Sequence, residues 1–370
     1  MLLKKINIVN YRNIAQAELE LSPNVNCFVG ANGMGKTNVL DAVFYLSFCK
    51  SSLNPIDSQN ILHGEPFFML DGSYESDDGV ACSVVCSVQQ GAPKRLTKAG
   101  KRMARISDHV GTIPLVMISP RDSELVTGLS EDRRHFLDSA ISQYDKAYLT
   151  SLIRYEGALK QRNAILRRED AEPDWTLVSV LEDQMATEAD VIFQARDAFV
   201  REFVPIFKEL YAVLCDNENE ASEVEIEYQS HIQRGPLKAQ LEEFRQKERI
   251  VGYTLHGTHK DELHLLLGGY PVRREGSQGQ TKTYFIAMKL AQYVFLKGKG
   301  EKRTPILLLD DVFDKLDEGR VGRIVDYVSG EAFGQIFITD TDRKRLDRIL
   351  NSTKRDYKLF SVSNGTLGFN

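Results

Sequence analysis

The 370-residue chain has no apolar run approaching the roughly 18–20 residues that a bilayer span requires. Its start lacks the apolar core of a secretion signal: Leu2, Ile6 and Ile8 are separated by polar residues and read as a strand. Cysteine is scarce and odd in number, and the five (Cys27, Cys49, Cys82, Cys86, Cys215) match no metal-binding spacing. Cys82 and Cys86 fall in an apolar, strand-like run and are expected to be buried thiols. These absences argue against membrane-spanning and disulfide-scaffold classes and for a cytosolic (cytoplasmic) globular protein with no membrane partner. No internal repeat is visible. A strong charge imbalance is missing too: the formal charge of −5 argues against indiscriminate nucleic-acid binding but says nothing about patches.

One patch is present in the sequence. Between Pro93 and Ile106 stand Lys94, Arg95, Lys98, Lys101, Arg102 and Arg105, with no acid. By charge alone, a solvated hairpin accounts for them as well as a DNA contact does. Alternation along a strand divides such cations between two faces. If all six touched phosphates, the salt slope would be about −5, an upper bound.

Strands and helices alternate along the first third. Val25 to Val29 is a strand running into a glycine loop, and Asn38 to Phe48 is apolar at helical spacing. Phe67 to Val88 reads as a hairpin turning at Asp77-Asp78-Gly79, and Leu96 to Ile106 as another turning at Ala99-Gly100, so an antiparallel layer is expected. After about Pro120 the pattern changes. Leu137, Ile141, Tyr144, Tyr148, Leu152, Tyr155 and Leu159 step by four and three, which predicts one amphipathic helix of about seven turns. Pro173 breaks the pattern, and a second long helix follows from Leu177 to Phe203, with a bend expected at Pro205. Two such helices joined by a short turn make an antiparallel arm. A strand at Val224 to Tyr228 and a helix around Leu237, Leu241 and Phe244 close this region. Strands return after Thr254: Leu263 to Leu267, Ile306 to Leu309, Gln335 to Thr339, and a final hairpin with Asn364-Gly365 at its turn. The organisation expected is an α/β head in two parts, 1–122 and 253–370, with a helical arm, 123–252, inserted between them.

Three motifs carry chemistry. Gly30-Ala31-Asn32-Gly33-Met34-Gly35-Lys36-Thr37 is a full phosphate loop between a strand and a helix. Backbone N–H groups and the helix N-terminus can cradle a polyphosphate, Lys36 can reach the β- and γ-phosphates, and the Thr37 hydroxyl can ligate Mg²⁺. Ile306-Leu307-Leu308-Leu309-Asp310-Asp311 is a buried parallel strand delivering two carboxylates to its C-terminal end. Asp310 suits the metal shell, and Asp311 suits polarisation of a water. About 270 residues separate these motifs, so something large is inserted into the nucleotide fold. The third motif, Ser277-Gln278-Gly279-Gln280, opens an apolar helix about thirty residues before the acidic strand, the arrangement of an ABC-type signature. The Ser277 hydroxyl, the Gly279 amide and the helix dipole can converge on an anion.

Further runs accompany these: Asn10-Tyr11-Arg12-Asn13, Asn38 after the phosphate loop, Ser119-Pro120-Arg121-Asp122, Arg133-Arg134-His135-Phe136-Leu137-Asp138, Gly257-Thr258-His259-Lys260-Asp261, Val312-Phe313 and Leu316-Asp317. With them the chain resembles, across essentially its whole length, the RecF family of bacterial recombination-mediator ATPases. The resemblance implies an ABC/SMC-like P-loop ATPase head, a mixed sheet plus an antiparallel β layer, with an inserted helical arm domain. It implies that ATP drives homodimerisation, the signature of one chain closing on the γ-phosphate held by the other. On that basis residues 30 to 38 and Arg12 bind ATP, Thr37 and Asp310 hold Mg²⁺, and Lys36 and Asp311 are catalytic. Ser277, Gly279 and Gln280 act in trans, and Asp317 lies on a dimer-facing loop. The resemblance also implies binding to duplex DNA next to single-strand gaps and help in loading RecA with RecR and RecO, and it makes the 94–105 cations DNA candidates.

Three departures stand out. No Gln occurs at Ser119-Pro120, the strand ending at Thr339 is followed by Asp340-Thr341 and not a switch His, and the family's Gly-Pro-His-Arg-Asp run has Thr258 and Lys260 here. The first two, with Asp311 in place of the usual Glu, point to a slow ATPase used as a switch. The third leaves His259 open between a core histidine and a nucleotide contact. Two other classes compete: a transporter ATPase subunit, which needs the missing switch His, and a structural SMC-like ATPase, which needs far longer arms. An unrelated phosphoryl-transfer enzyme would need an acceptor site, of which the sequence gives no sign.

Overall fold

A computed structural model describes residues 1–168, 172–215, 218–300, 303–313, 317–330, 333–343, 346–347 and 356–369. The chain forms two compact units, one of Met1–Asp122, Val213–Cys215 and Ile286–Asn370, the other of Ser123–Ala212 and Asp216–Phe285.

The first unit begins with β1 (Leu2–Tyr11), β2 (Ile14–Glu20), β3 (Val25–Val29), α1 (Lys36–Phe48), β4 (Phe67–Glu75), β5 (Ala81–Gln89), β6 (Arg95–Lys98), β7 (Lys101–Arg102) and β8 (Leu115–Ile118). Six of these strands form an antiparallel sheet in the order β2-β1-β4-β5-β6-β7. Its inner face carries Ile6, Ile8, Leu70, Val84, Cys86 and Leu96, all buried, as the period of two demands. Cys82 shares that face but lies near the strand end and is only half-buried, a departure from the buried thiol expected.

In the second unit come α2 (Glu124–Thr127), α3 (Ser130–Ile141), α4 (Lys146–Leu166), α5 (Trp175–Leu214) up to Ala212, α6 (Glu218–Ser222), β9 (Val224–Gln229), α7 (Leu237–Val251), β10 (Glu262–Leu267), β11 (Tyr270–Pro271), α8 (Val272–Glu275) and the start of α9 (Gln278–Lys299). The single seven-turn helix expected from Leu137 to Leu159 is two helices. Asp145 ends the continuity by accepting the Tyr148 N–H at 2.9 Å as the N-cap of α4. Ile141 and Tyr148 are both buried, so the apolar spacing runs across the break and hides it. By contrast α5 continues through Pro205 to Leu214. Residues 253–285, expected in the head, pack in this unit, because β10 pairs with β9 from Glu262↔Gln229 to Leu267↔Val224 in the small sheet β11-β10-β9.

Two buried arginines tie this unit together. Arg162 of α4 meets Glu182 at 2.9 Å, Glu248 at 2.6 Å and the Thr254 hydroxyl at 2.8 Å. Arg196 of α5 meets Asp138 and Asp261, each at 2.7 Å, and donates to the Thr258 carbonyl and the Tyr148 hydroxyl. Multiple partners of this kind are what make a buried guanidinium tolerable.

The chain then completes the first unit with β12 (Ile306–Asp310), α10 (Glu318–Ser329), β13 (Ile336–Asp340), β14 (Tyr357–Ser363) and β15 (Thr366–Phe369). The second six-stranded sheet has the order β15-β14-β3-β13-β12-β8, parallel except for β15. Helix α1 packs against strands of both large sheets, which is why ten of its thirteen residues are buried. No helix among the described residues is long and apolar enough to cross a membrane.

One buried polar group on α1 explains part of the Asn10–Asn13 run. The Asp41 carboxylate accepts from the Tyr11 hydroxyl (2.6 Å), the Ser51 hydroxyl (2.6 Å), and the Ser52 hydroxyl and N–H (2.7 Å each). Tyr11→Phe leaves this carboxylate short of one donor, a loss of about 1–3 kcal/mol. We expect the melting temperature to fall by roughly 2–10 °C in a thermal unfolding scan; an unchanged melting temperature would contradict the role assigned to this bond.

Candidate nucleotide site

The phosphate loop joins β3 to α1 at the C-terminal edge of the parallel sheet, where such sheets bind ligands. Its backbone needs glycine at specific points. Gly35 has φ +112°, and a Cβ there would lie 2.8 Å from the Asn13 side chain. A Cβ on Gly30 would come within 2.3 Å of the Val362 carbonyl oxygen. Gly33 is also left-handed, at φ +79°. Helix α1 starts with no side-chain cap and no acid in its first turn, leaving an electropositive helix end available to an anion. The Lys36 ammonium donates to the carbonyls of Gly30 (2.8 Å) and Ala31 (3.2 Å), so it is held within the loop.

The loop is braced from outside. Asn13 donates to the Met34 carbonyl (3.2 Å) and accepts from the Asn38 amide (2.7 Å). Gly365, in the final hairpin, donates its N–H to the same Met34 carbonyl at 2.9 Å. Arg12, expected to approach a nucleotide, has its guanidinium donating to Asn60 at 2.7 Å. The Asn10–Asn13 run is thus a set of anchors, Tyr11 on α1, Arg12 on Asn60, and Asn13 on the phosphate loop.

The acidic strand converges on this loop. Asp310 accepts from the Thr37 hydroxyl at 2.9 Å and from the Thr339 hydroxyl at 2.7 Å. Burial pushes the Asp310 carboxyl above the usual carboxylate range, against the pull of the two hydroxyls and the Lys36 ammonium. The next residue, Asp311, is left-handed (φ +45°) and donates its N–H to the Thr339 oxygen at 2.9 Å. A non-glycine residue in that region marks a backbone held by its surroundings. The Thr37 hydroxyl and the Asp310 carboxylate are hard oxygen donors side by side, a pair that suits a divalent cation carrying phosphate ligands.

In the second unit, the exposed Ser277 caps α9. Its hydroxyl accepts the Gln280 N–H (3.2 Å), while the Gln280 side-chain oxygen accepts the Ser277 N–H (2.8 Å). This reciprocal pair is a capping box. The Gly279 carbonyl accepts from the Thr283 hydroxyl at 2.9 Å. Asp317 caps α10 by accepting the Arg320 N–H at 2.8 Å; Leu316 lies outside the described residues. His259 is occupied on both sides: Tyr155 meets Nδ1 at 2.7 Å and the Thr254 carbonyl meets Nε2 at 3.1 Å. Burial lowers its pKa to about 3, so it is neutral, donating from Nε2 and accepting at Nδ1. Asp261 and Asp138, from two separate runs, meet on Arg196, which sequence reading did not single out.

The basic hairpin divides. Lys94 turns inward to an ion pair with Asp57 (2.8 Å) and bonds to the Cys49 carbonyl and the Tyr45 hydroxyl, so it is withdrawn from any DNA surface. Arg95, Lys101, Arg102 and Arg105 are exposed, and Lys98 is half-buried. Leu96 points inward opposite Cys86, which puts Arg95 and Thr97 on the outer face, and Thr97 pairs with Arg102.

Comparison with known proteins fits this geometry. Residues 1–172 match a family model described as an AAA ATPase domain. The chain is 53% identical over 365 residues to the DNA replication and repair protein RecF of Phocaeicola vulgatus, covering 99% of this chain and 97% of that one. It belongs to the RecF family. RecF of Porphyromonas gingivalis is 45% identical over 368 residues, covering 99% of this chain and 100% of the relative. Among solved structures, the recombination mediator protein RecF with ATP, in the RecFOR pathway, is similar with a TM-score of 0.88 at 26% identity, covering 100% of this chain and 97% of that one. A Pyrococcus furiosus Smc head domain with an extended coiled coil is similar in fold alone, with a TM-score of 0.59 at 14% identity, covering 100% and 96%. In this RecF-family chain the phosphate loop, with its Thr37, and Asp310 form the candidate nucleotide site.

A raised Asp310 pKa has a sign for stability. Above the raised value the ionised, buried carboxylate costs folding free energy relative to the unfolded chain, a cost that fades as pH falls through that value towards the ordinary carboxylate range. Asp310→Asn retains an acceptor for both hydroxyls and removes the charge. We expect a higher melting temperature without nucleotide and an affinity for ATP with magnesium about tenfold lower or worse by calorimetry. Unchanged affinity would remove Asp310 from the site.

Proposed function

We propose that this chain is an ATP-gated DNA-repair and replication protein of the RecF type, working in the cytoplasm. It dimerises on ATP, binds duplex DNA beside single-strand gaps, and assists RecA loading with RecR- and RecO-type partners. The observation that carries the dimer is the division of labour between the units. The first holds a single phosphate loop, whereas the second holds an exposed, capped signature serine. An exposed hydroxyl at a helix start, joined by the Gly279 amide, is a receptor for an anion brought by another molecule. The Asp317 side chain, about half exposed at the start of α10, is available to the same interface.

Mg²⁺ is assigned to Thr37 and Asp310, and when bound it supplies neutralisation of phosphate charge. Lys36, held within the loop, is the residue to orient the β- and γ-phosphates. Asp311 is the candidate to orient a water. Its fixed left-handed backbone and its short side chain favour slow turnover suited to a switch. At the β13 end, where a transporter carries its switch His, Thr339 is already bonded to Asp310 and Asp311. On the hairpin, Arg95 and Arg102 share the outer face, and Lys98, Lys101 and Arg105 remain secondary DNA candidates.

Sedimentation velocity with and without ATP, with a labelled gapped duplex present, tests this reading. Wild type should pass from monomer to dimer and retain DNA only with ATP, and Ser277→Arg should stay monomeric while still binding ATP. A wild type that remains monomeric, or a Ser277→Arg protein that dimerises normally, would refute the trans signature.

A further inference from the structure

Gln280 has two ends, and the signature needs a specific one. Its side-chain oxygen accepts the Ser277 N–H at 2.8 Å, which leaves its NH₂ group directed elsewhere, onto Glu220 Oε2 at 3.1 Å. The other Glu220 oxygen, Oε1, accepts from the Tyr211 hydroxyl at 2.6 Å. Tyr211 is fully buried near the end of α5, and its ring meets Tyr284 of α9 edge-on at 5.7 Å and Phe207 at 5.9 Å. A chain of bonds therefore runs from a packed tyrosine through a carboxylate to the amide that closes the capping box.

We infer that Glu220 is a positioning residue for the signature, fixing the Gln280 amide in the one orientation that holds Ser277 at the helix start. The inference rests on the trans-signature reading for its effect on dimerisation. With the amide turned over, its NH₂ would face the Ser277 N–H, donor against donor. Its oxygen would then face the Glu220 carboxylate, acceptor against acceptor. The carboxylate makes that state unfavourable. Tyr211 in turn keeps the carboxylate in place, so the end of the arm helix α5 and the signature are mechanically joined within the second unit.

Charge and position predict opposite signs. A carboxylate beside a loop that receives a phosphate repels it, so as a bare charge Glu220 would hinder dimerisation, and its removal would help. As a positioning group its removal hinders. Glu220→Gln separates the two, because it drops the charge while keeping an acceptor for Gln280.

The experiment uses full-length protein and two readouts. One is the dimer dissociation constant in ATP by sedimentation. The other is amide exchange across residues 277–283 without nucleotide, which does not depend on dimerisation. For Glu220→Ala we expect dimerisation about tenfold weaker, exchange several-fold faster at the signature, and unchanged binding of a fluorescent ATP analogue by the monomer. Glu220→Gln should return both readouts to within about twofold of wild type. Dimerisation by Glu220→Ala as tight as or tighter than wild type, unchanged exchange, or a Gln variant as impaired as the Ala variant would overturn the inference. If wild type itself fails to dimerise, the trans reading falls, and the exchange data still decide the Glu220 contact.

Discussion

A single buried carboxylate sets the terms for the nucleotide site. Asp310 ends β12 inside the sheet edge, where it is out of reach of bulk water and costly to ionise. Two hydroxyls from neighbouring segments, Thr37 at the end of the phosphate loop and Thr339 on β13, offset that cost by donating to the same oxygen. This is possible only if β3, β13 and β12 lie side by side and parallel, so that their C-terminal ends share an edge. The oxygen pair with Thr37 and the left-handed turn at Asp311 both lie against this group.

The phosphate loop is equally dependent on what lies outside it. Asn13, from the turn between β1 and β2, and Gly365, from the final hairpin, both bind the Met34 carbonyl. The antiparallel sheet reaches α1 through Tyr11 and Asp41. The loop's shape is thus held by residues outside it, bracing of the kind that limits the cost of ordering a binding loop. In the second unit the corresponding constraint is Arg196, which gathers Asp138, Tyr148 and the Thr258–Asp261 turn from three segments.

What could be read from the sequence was what is local. The phosphate loop, the acidic strand and the signature each keep their chemistry within a few residues, and their order gave the family. Hairpin turns at Gly79, Gly100 and Gly365 were legible because each needs a left-handed glycine. The break at Asp145 was not, since the apolar spacing of Ile141 and Tyr148 continues across it. Charge counting placed Lys94 with its neighbours, yet only the fold shows it turned to Asp57, a partner far off in sequence. Arg196, Asp41, Thr339 and Glu220 each acquire a role through residues on other elements, so no window of sequence could single them out.

The central claim is that a working site is built from two chains, and mixing two defective proteins tests it most directly. Lys36→Ala spoils the phosphate loop and leaves the signature, while Ser277→Arg does the reverse. Neither variant alone should form an ATP-dependent dimer. Mixed in equal amounts with ATP, they can assemble one intact site from the loop of one and the signature of the other. The account predicts a heterodimer in sedimentation with partial ATP turnover. A mixture that behaves as the sum of its two separate components would contradict it.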